Sequence, residues 1–214
     1  MRTIALLLLV LCLSCTAGCF LLDERQVTLA PPPVPVNPVP TTDSGMATAQ
    51  PADLALVLAD LPAGYIIRER ADIAYSDITP LAREQGWKGG YLAVFYRMNA
   101  EKIDVTAISQ RIGIYNVNNI HLLDKTLEPV FEAAEYDLRA TANASITVTE
   151  LPFPKTGDRT SSFRSVDAND PYEIITYTVI FTKKNVIETI EMRGTTTDYE
   201  LLKTIVNKAA DRIR

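Results

Sequence analysis

The sequence predicts an α+β domain: a largely antiparallel sheet covered by helices. Three observations predict it. The strand-like runs are mostly joined by short polar turns, so they pair as hairpins and therefore antiparallel. Two amphipathic stretches, 119–138 and the C-terminal one, carry apolar stripes that need a sheet face to cover. From Asp53 to Arg214 there is no internal repeat and no second linker, so these elements share one core.

In chain order, Leu54 to Leu58 is a short apolar piece that either strand or helix could use, and Asp60-Leu61-Pro62-Ala63-Gly64 is a turn. Tyr65 to Ala71 reads as a strand. Asp77 to Gln85 is a short helix, with Pro80 in its first turn and Gly86 past its end. Gly89-Gly90 turns into the clearest β section, Tyr91 to Met98 and Ile103 to Tyr115, joined by Asn99-Ala100-Glu101-Lys102. On the second of these strands Thr106, Ile108, Gln110, Ile112 and Ile114 share one face, expected to point inward.

Asn119 to Leu138 is helical, because Leu123, Leu127, Val130, Phe131, Ala134 and Leu138 recur at spacings of three and four. Pro129 should kink or restart it. Strands follow at Ser145 to Leu151, Thr160 to Val166 and Tyr172 to Lys183. The last pairs with Val186 to Gly194 across Lys183-Lys184-Asn185, the strongest hairpin in the chain. Thr197 and Glu200 form a capping box for a final helix. That helix should turn Leu201, Leu202, Ile205, Val206, Ala209, Ala210 and Ile213 inward, and Lys203, Asn207 and Arg212 outward.

The first residues have a different character. After Met1-Arg2, Ile4 to Leu13 is almost wholly aliphatic, the length of a signal-peptide core. Small residues Thr16, Ala17 and Gly18 precede Cys19, and the stretch resembles a prokaryotic lipoprotein lipobox, with Thr16 where Leu is commoner. The resemblance implies cleavage after residue 18, a lipid on Cys19 and a membrane-attached chain whose domain faces outside the cytoplasm. An uncleaved anchor spanning Ile4 to Leu22 is the alternative. All three cysteines, Cys12, Cys15 and Cys19, fall within this segment, so the domain contains no disulfide. Residues 19–52 form the lipidated N-terminus and a tether. Pro31 to Pro40 favours polyproline II, since proline fixes φ and removes donors. At about 3.1 Å per residue it spans roughly 30 Å. The expected organisation is thus 1–18 signal, 19–52 linker and 53–214 domain.

Together, Leu61-Pro62-Ala63-Gly64-Tyr65 before the first strand and the long hairpin before a terminal helix resemble the PsbP-like family of photosystem II accessory proteins. The similar Ran-binding import factors share this element order. The resemblance implies a sandwich fold and a non-enzymatic partner or assembly role, and it carries over no site residue.

Little in the chain points to chemistry. With 21 Lys and Arg against 26 Asp and Glu, the net charge is −5, and no basic run exceeds Lys183-Lys184. Nucleic-acid binding lacks its electrostatic footprint. His121, the only histidine, has no nucleophile and acid placed beside it and reads as a capping or surface residue. Lys155-Thr156-Gly157 lacks the Ser-x-x-Lys of the penicillin-binding proteins. Asp124-Lys125-Thr126 sits in a helix, and no glycine-rich phosphate loop occurs. Asp167-Ala168-Asn169-Asp170 gathers oxygens without the spacing of an EF-hand, so a solvated turn is expected. No metal, cofactor or catalytic residue is assigned.

Trp87, the only tryptophan, together with Tyr91 in Gly86-Trp87-Lys88-Gly89-Gly90-Tyr91, is the candidate ligand surface. The bland reading is a ring that covers one edge of the core. Asn143-Ala144-Ser145 is a candidate glycosylation sequon. The expected function is non-catalytic: an extracytoplasmic module that binds an envelope protein, a polymer or a small ligand. The rivals are an accessory or assembly subunit of a membrane complex and a carboxylate-based hydrolase.

Overall fold

A computed structural model describes residues 47–99, 104–117 and 122–214. The signal segment, Cys19, the proline-rich tether, the hairpin turn at 100–103 and His121 lie outside the described residues. Seven strands form one sheet in the order β1-β2-β3-β7-β6-β5-β4, and every neighbouring pair is antiparallel. The strands are β1 (Ile66–Asp72), β2 (Trp87–Asn99), β3 (Asp104–Tyr115), β4 (Ile146–Glu150), β5 (Arg159–Asp167), β6 (Ile175–Lys183) and β7 (Val186–Gly194). Four helices accompany them: α1 (Pro51–Leu54), α2 (Pro80–Glu84), α3 (Leu123–Ala140) and α4 (Tyr199–Arg212). Two meanders, β1 to β3 and β4 to β7, are closed into one sheet by the β3–β7 pair at its centre. The expected mixture of an antiparallel sheet with helices is what the chain adopts.

The alternation along each strand divides the core in two. On one face Phe95, Ile108, Ile112, Val179, Phe181, Ile190 and Met192 pack with Leu54 and Leu56 and with Leu202, Ile205, Val206 and Ala209 of α4. On the other, Ile180, Ile187 and Tyr115 pack with Ala82 of α2 and with Leu127 and Phe131 of α3. The sheet is therefore sandwiched between helical layers, as its near-continuous burial at β6 requires. Thr106, Ile108, Gln110, Ile112 and Ile114 all point into the first core, as their period-two spacing predicts.

The chain before β1 is strapped across that first core. Ala47 N donates to Asn185 Oδ1 at 2.7 Å, and Leu56 N donates to Gln110 Oε1 at 2.7 Å. Leu56 O accepts from the Arg70 guanidinium. Asp60, in a 3₁₀ turn over Leu58–Asp60, accepts from Arg212 at 2.6 Å through its carboxylate.

Four local expectations change. Gly89 and Gly90 lie inside β2, which begins at Trp87, so they make no turn. The cap of α4 is Asp198, whose Oδ1 accepts from the Glu200 and Leu201 amides at 2.9 and 3.1 Å. Glu200 instead pairs with Lys203, since an aspartate one residue closer offers the shorter reach. Arg212 is turned toward Asp60 rather than outward. Of the two outcomes expected at Pro129, a kink or a restart, the restart does not occur: α3 is one helix from Leu123 to Ala140. Leu127 and Phe131, buried on either side of Pro129, hold the helix to the core across the donor that the proline lacks.

Candidate functional site

The site is built where the second core meets solvent, beneath α2 and beside α3. Thr79 caps α2 by accepting from Ala82 N at 3.2 Å, and Pro80 occupies the first helical turn. Gly86, at φ +81°, ends the helix in the left-handed region that glycine tolerates best. Asn116 N donates to Gly86 O at 2.8 Å, which fixes the chain as it enters β2. Trp87 is thereby set opposite Tyr115, with a register shift before Gly89.

The shift brings the indole over a cross-strand glycine pair, Gly90 and Gly113. A Cβ on Gly113 would stand 3.6 Å from Trp87 Nε1. A Cβ on Gly90 would stand 3.2 Å from Trp87 Cζ2 and 2.6 Å from the Ile112 carbonyl oxygen. Two bare backbones thus give the ring a flat bed, and Tyr75 meets its other side at a centroid distance of 6.0 Å.

Against this ring opens a groove of about 190 Å³, walled by Ile73, Ile78, Leu81, Val130, Ala134 and Ile187. Tyr115 also lines it, and burial pushes its hydroxyl up to about 12, so it remains a neutral phenol at any ordinary pH. Three charged side chains complete the lining: Arg111, Asp77 and Asp137, all exposed at the rim. Asp77 accepts from Ser76 Oγ at 3.0 Å. Neither the Arg111 nor the Asp137 side chain makes a hydrogen bond or ion pair among the described residues, with each other or with anything else. The Trp87 Nε1–H likewise has no acceptor among them.

Arg159 and Arg139 sit in matched networks. Arg159 reaches Glu128 at 3.3 Å, Glu135 at 3.6 Å and Glu132 at 3.8 Å, and covers the Phe131 ring at 4.4 Å. Arg139 joins Glu135 and Glu150 and lies over Phe163. These clamp α3 to β4 and β5. The groove's rim differs from these two networks in that the Arg111 and Asp137 side chains face one recess without pairing among the described residues.

Of the residues singled out from sequence, Trp87 lies in the groove. Tyr91 does not join it: it is half-buried against the first core, on the opposite face of the sheet. The register shift between Trp87 and Gly89 is the reason, since it alters the face parity that simple counting assumes. Asn143 is exposed, and its Oδ1 accepts from the Ser145 and Ile146 amides at 2.8 and 2.9 Å, a turn that starts β4. Asp167 and Asp170 likewise accept from the Asn169 and Tyr172 amides at 2.9 and 2.8 Å. Among the described residues no three His, Cys, Asp or Glu side chains are grouped to hold a metal. Arg111 and Asp137 gave no sequence signal, being ordinary surface charges until the fold places them on one rim.

No family model matches the chain, and the search of curated proteins returned no match. Among solved structures, the extracellular domain of PknH from Mycobacterium tuberculosis superposes with a TM-score of 0.58 at 8% identity, covering 79% of this chain and 98% of that one. A putative uncharacterized protein from Mycobacterium smegmatis, the Rv0999 ortholog, reaches a TM-score of 0.39 at 9% identity, covering 76% of this chain and 97% of that one. What the chain shares with the PknH extracellular domain at such low identity is its fold.

Proposed function

We propose that this protein is a lipid-anchored extracytoplasmic module that binds without catalysing, and that the Trp87 groove is its binding surface. The observation that carries the reading is the groove itself: an apolar recess onto which a guanidinium, a carboxylate and an indole N–H converge with no partner among the described residues. Unmatched polar groups converging on an apolar recess are the usual signature of a ligand site. The lipobox-like stretch ending at Cys19 and the proline-rich tether supply the anchor. The shared fold with a domain described as extracellular supports the compartment. Among the described residues no helix is long and apolar enough to cross a membrane.

The hydrolase alternative requires two carboxylates enclosed together with substrate. The groove's two, Asp77 and Asp137, stand exposed at its rim, which favours recognition over acid–base work.

Two measurements test the reading. Intact mass of the protein taken from native membranes should show a chain beginning at a lipidated Cys19, and Cys19→Ala should leave the membrane fraction; an intact Met1 would overturn the lipid anchor. Native mass spectrometry of the full chain, extracted in mild detergent, should show a small bound molecule that Trp87→Ala loses. A parent protein that carries only other polypeptides, retained by the folded Trp87→Ala variant, would favour an accessory subunit instead.

A further inference from the structure

The lining of the groove also restricts what can enter it. Its volume, about 190 Å³, is below the range of roughly 300–1,000 Å³ typical of drug-sized ligand sites. The recess itself holds only a small molecule or a small part of one. The walls between Trp87, Ile78, Val130 and Ile187 are apolar, so the body of that molecule must be apolar as well. The rim carries opposite charges, Arg111 from β3 and Asp137 from α3, which face one recess yet form no ion pair with each other. A purely anionic guest would satisfy Arg111 and meet two carboxylates, Asp77 and Asp137. A purely cationic one would satisfy a carboxylate and meet the guanidinium. A guest bearing both charges satisfies both rims at once.

We propose that the groove takes a small zwitterion with an apolar body, the chemistry of a free apolar amino acid. Its carboxylate lies on Arg111, with the Trp87 N–H as a further donor, and its ammonium lies toward Asp137. Arginine suits the first role because its fork of donors matches a carboxylate's two oxygens. The side chain then rests against the indole, which Gly90 and Gly113 hold flat to the sheet. This rests on the reading of the groove as a binding site.

The single tryptophan makes the test direct, because all indole fluorescence of the full chain comes from Trp87. The full chain in mild detergent is titrated with leucine, with 4-methylpentanoate, which lacks the amine, and with 3-methylbutylamine, which lacks the carboxylate. Leucine should shift the Trp87 emission saturably, and each truncated probe should bind about tenfold more weakly, the size of one lost charge-assisted contact. Arg111→Gln should remove the preference for leucine over the amine, and Asp137→Asn the preference over the carboxylate. Both replaced side chains are exposed, so the fold should survive. Equal binding of all three probes, or a preference unchanged in Arg111→Gln, would overturn the zwitterion assignment while leaving an apolar binding groove. No response to any probe, together with a non-zwitterionic molecule found by native mass spectrometry, would overturn the assignment and keep the module. No response and no bound molecule would remove both.

Discussion

Gln110 Nε2 donates to Glu188 Oε2 at 2.8 Å between the two central strands, and both side chains are completely buried. The second carboxyl oxygen of Glu188, Oε1, is buried with no partner. Burial pushes this carboxyl from its ordinary 4.5 up to about 8, against the opposing pull of the Gln110 hydrogen bond and the Arg212 charge. A neutral acid so enclosed is easier to keep than an anion.

The sign of the resulting pH dependence follows. Between the unfolded value of 4.5 and the folded value of about 8, the folded chain holds a proton that the unfolded chain has released. The contribution of Glu188 to stability is thus full below the lower value and is lost as pH rises toward the upper one, by up to about 1.4 kcal/mol per unit. Glu191, raised by desolvation against the pull of Arg193, acts in the same direction. Denaturant unfolding from about pH 5 to about pH 9 should show stability falling with pH in the parent and falling less steeply in Glu188→Gln. Parallel profiles would show that Glu188 ionises freely in the fold.

The same glutamine holds the strap. Its Oε1 accepts from the Leu56 amide at 2.7 Å while its Nε2 serves Glu188, so one side chain joins the segment before β1 to the sheet. Gln110→Leu keeps the volume but leaves a buried amide and a buried carboxyl unmatched, at about 1–3 kcal/mol each. Hydrogen exchange at the Leu56 amide should accelerate and Tm should fall. Protection at Leu56 equal to the parent's would show that the strap is held without Gln110, by its other contacts to Asn185, Arg70 and Arg212.

How far these features are legible in the sequence depends on their range. Period-two spacing is local, so Gln110 is seen among Ile108 and Ile112 and its inward face follows. Its partner is not: Glu188 is 78 residues away, and only the β3–β7 pairing brings it there. The strap is invisible for the same reason, since a four-residue helix and an extended run carry no periodicity. Trp87 stands out by its neighbours, yet the register shift that separates it from Tyr91 has no signature beyond two glycines. Arg111 and Asp137 belong to different elements, and nothing short of the fold puts them on one rim. Thr197 and Asp198 are both good caps in the sequence, and the structure alone selects between adjacent ones.

The glycine bed makes a graded prediction. On Gly113 a new methyl would sit 3.3 Å from Tyr115 Cε2 and 3.6 Å from Trp87 Nε1, side-chain atoms that can give by tenths of an ångström. Gly113→Ala should fold with a small loss of stability and a displaced Trp87 emission. On Gly90 the methyl would sit 2.6 Å from the Ile112 carbonyl oxygen, which is backbone and cannot yield without opening the ladder. Gly90→Ala should therefore cost about 1–3 kcal/mol, the usual range for overpacking. Emission and thermal melts of the two variants measure both effects, and a Gly90→Ala protein as stable as Gly113→Ala would show that the β2–β3 pair yields at Gly90.

The C-terminal helix is the clearest case of a sequence stripe meeting its predicted face. Leu202, Ile205, Val206 and Ala209 are all 0% exposed against Val179, Phe181 and Ile190 of β6 and β7. Only four residues separate Gly194 from the first residue of the helix, so it folds straight back over the hairpin it follows. Lys183 reinforces the return by donating to Ala210 O at 2.7 Å. Ile205→Ala removes three methyl or methylene groups from a site with no solvent to refill it, and should cost about 2–5 kcal/mol. That is a large share of a stability of roughly 5–15 kcal/mol, so Tm should drop by many degrees. Lys203 lies on the flank of the same helix, paired with Glu200 at 2.7 Å and placed 4.6 Å from the Tyr199 ring centroid. Its partner is exposed, so Lys203→Ala should cost about 1 kcal/mol or less. Thermal melts of the two variants side by side decide the matter. An Ile205→Ala protein that melts with the parent would mean that α4 is not seated on the sheet, and its apolar stripe would then be free for another chain.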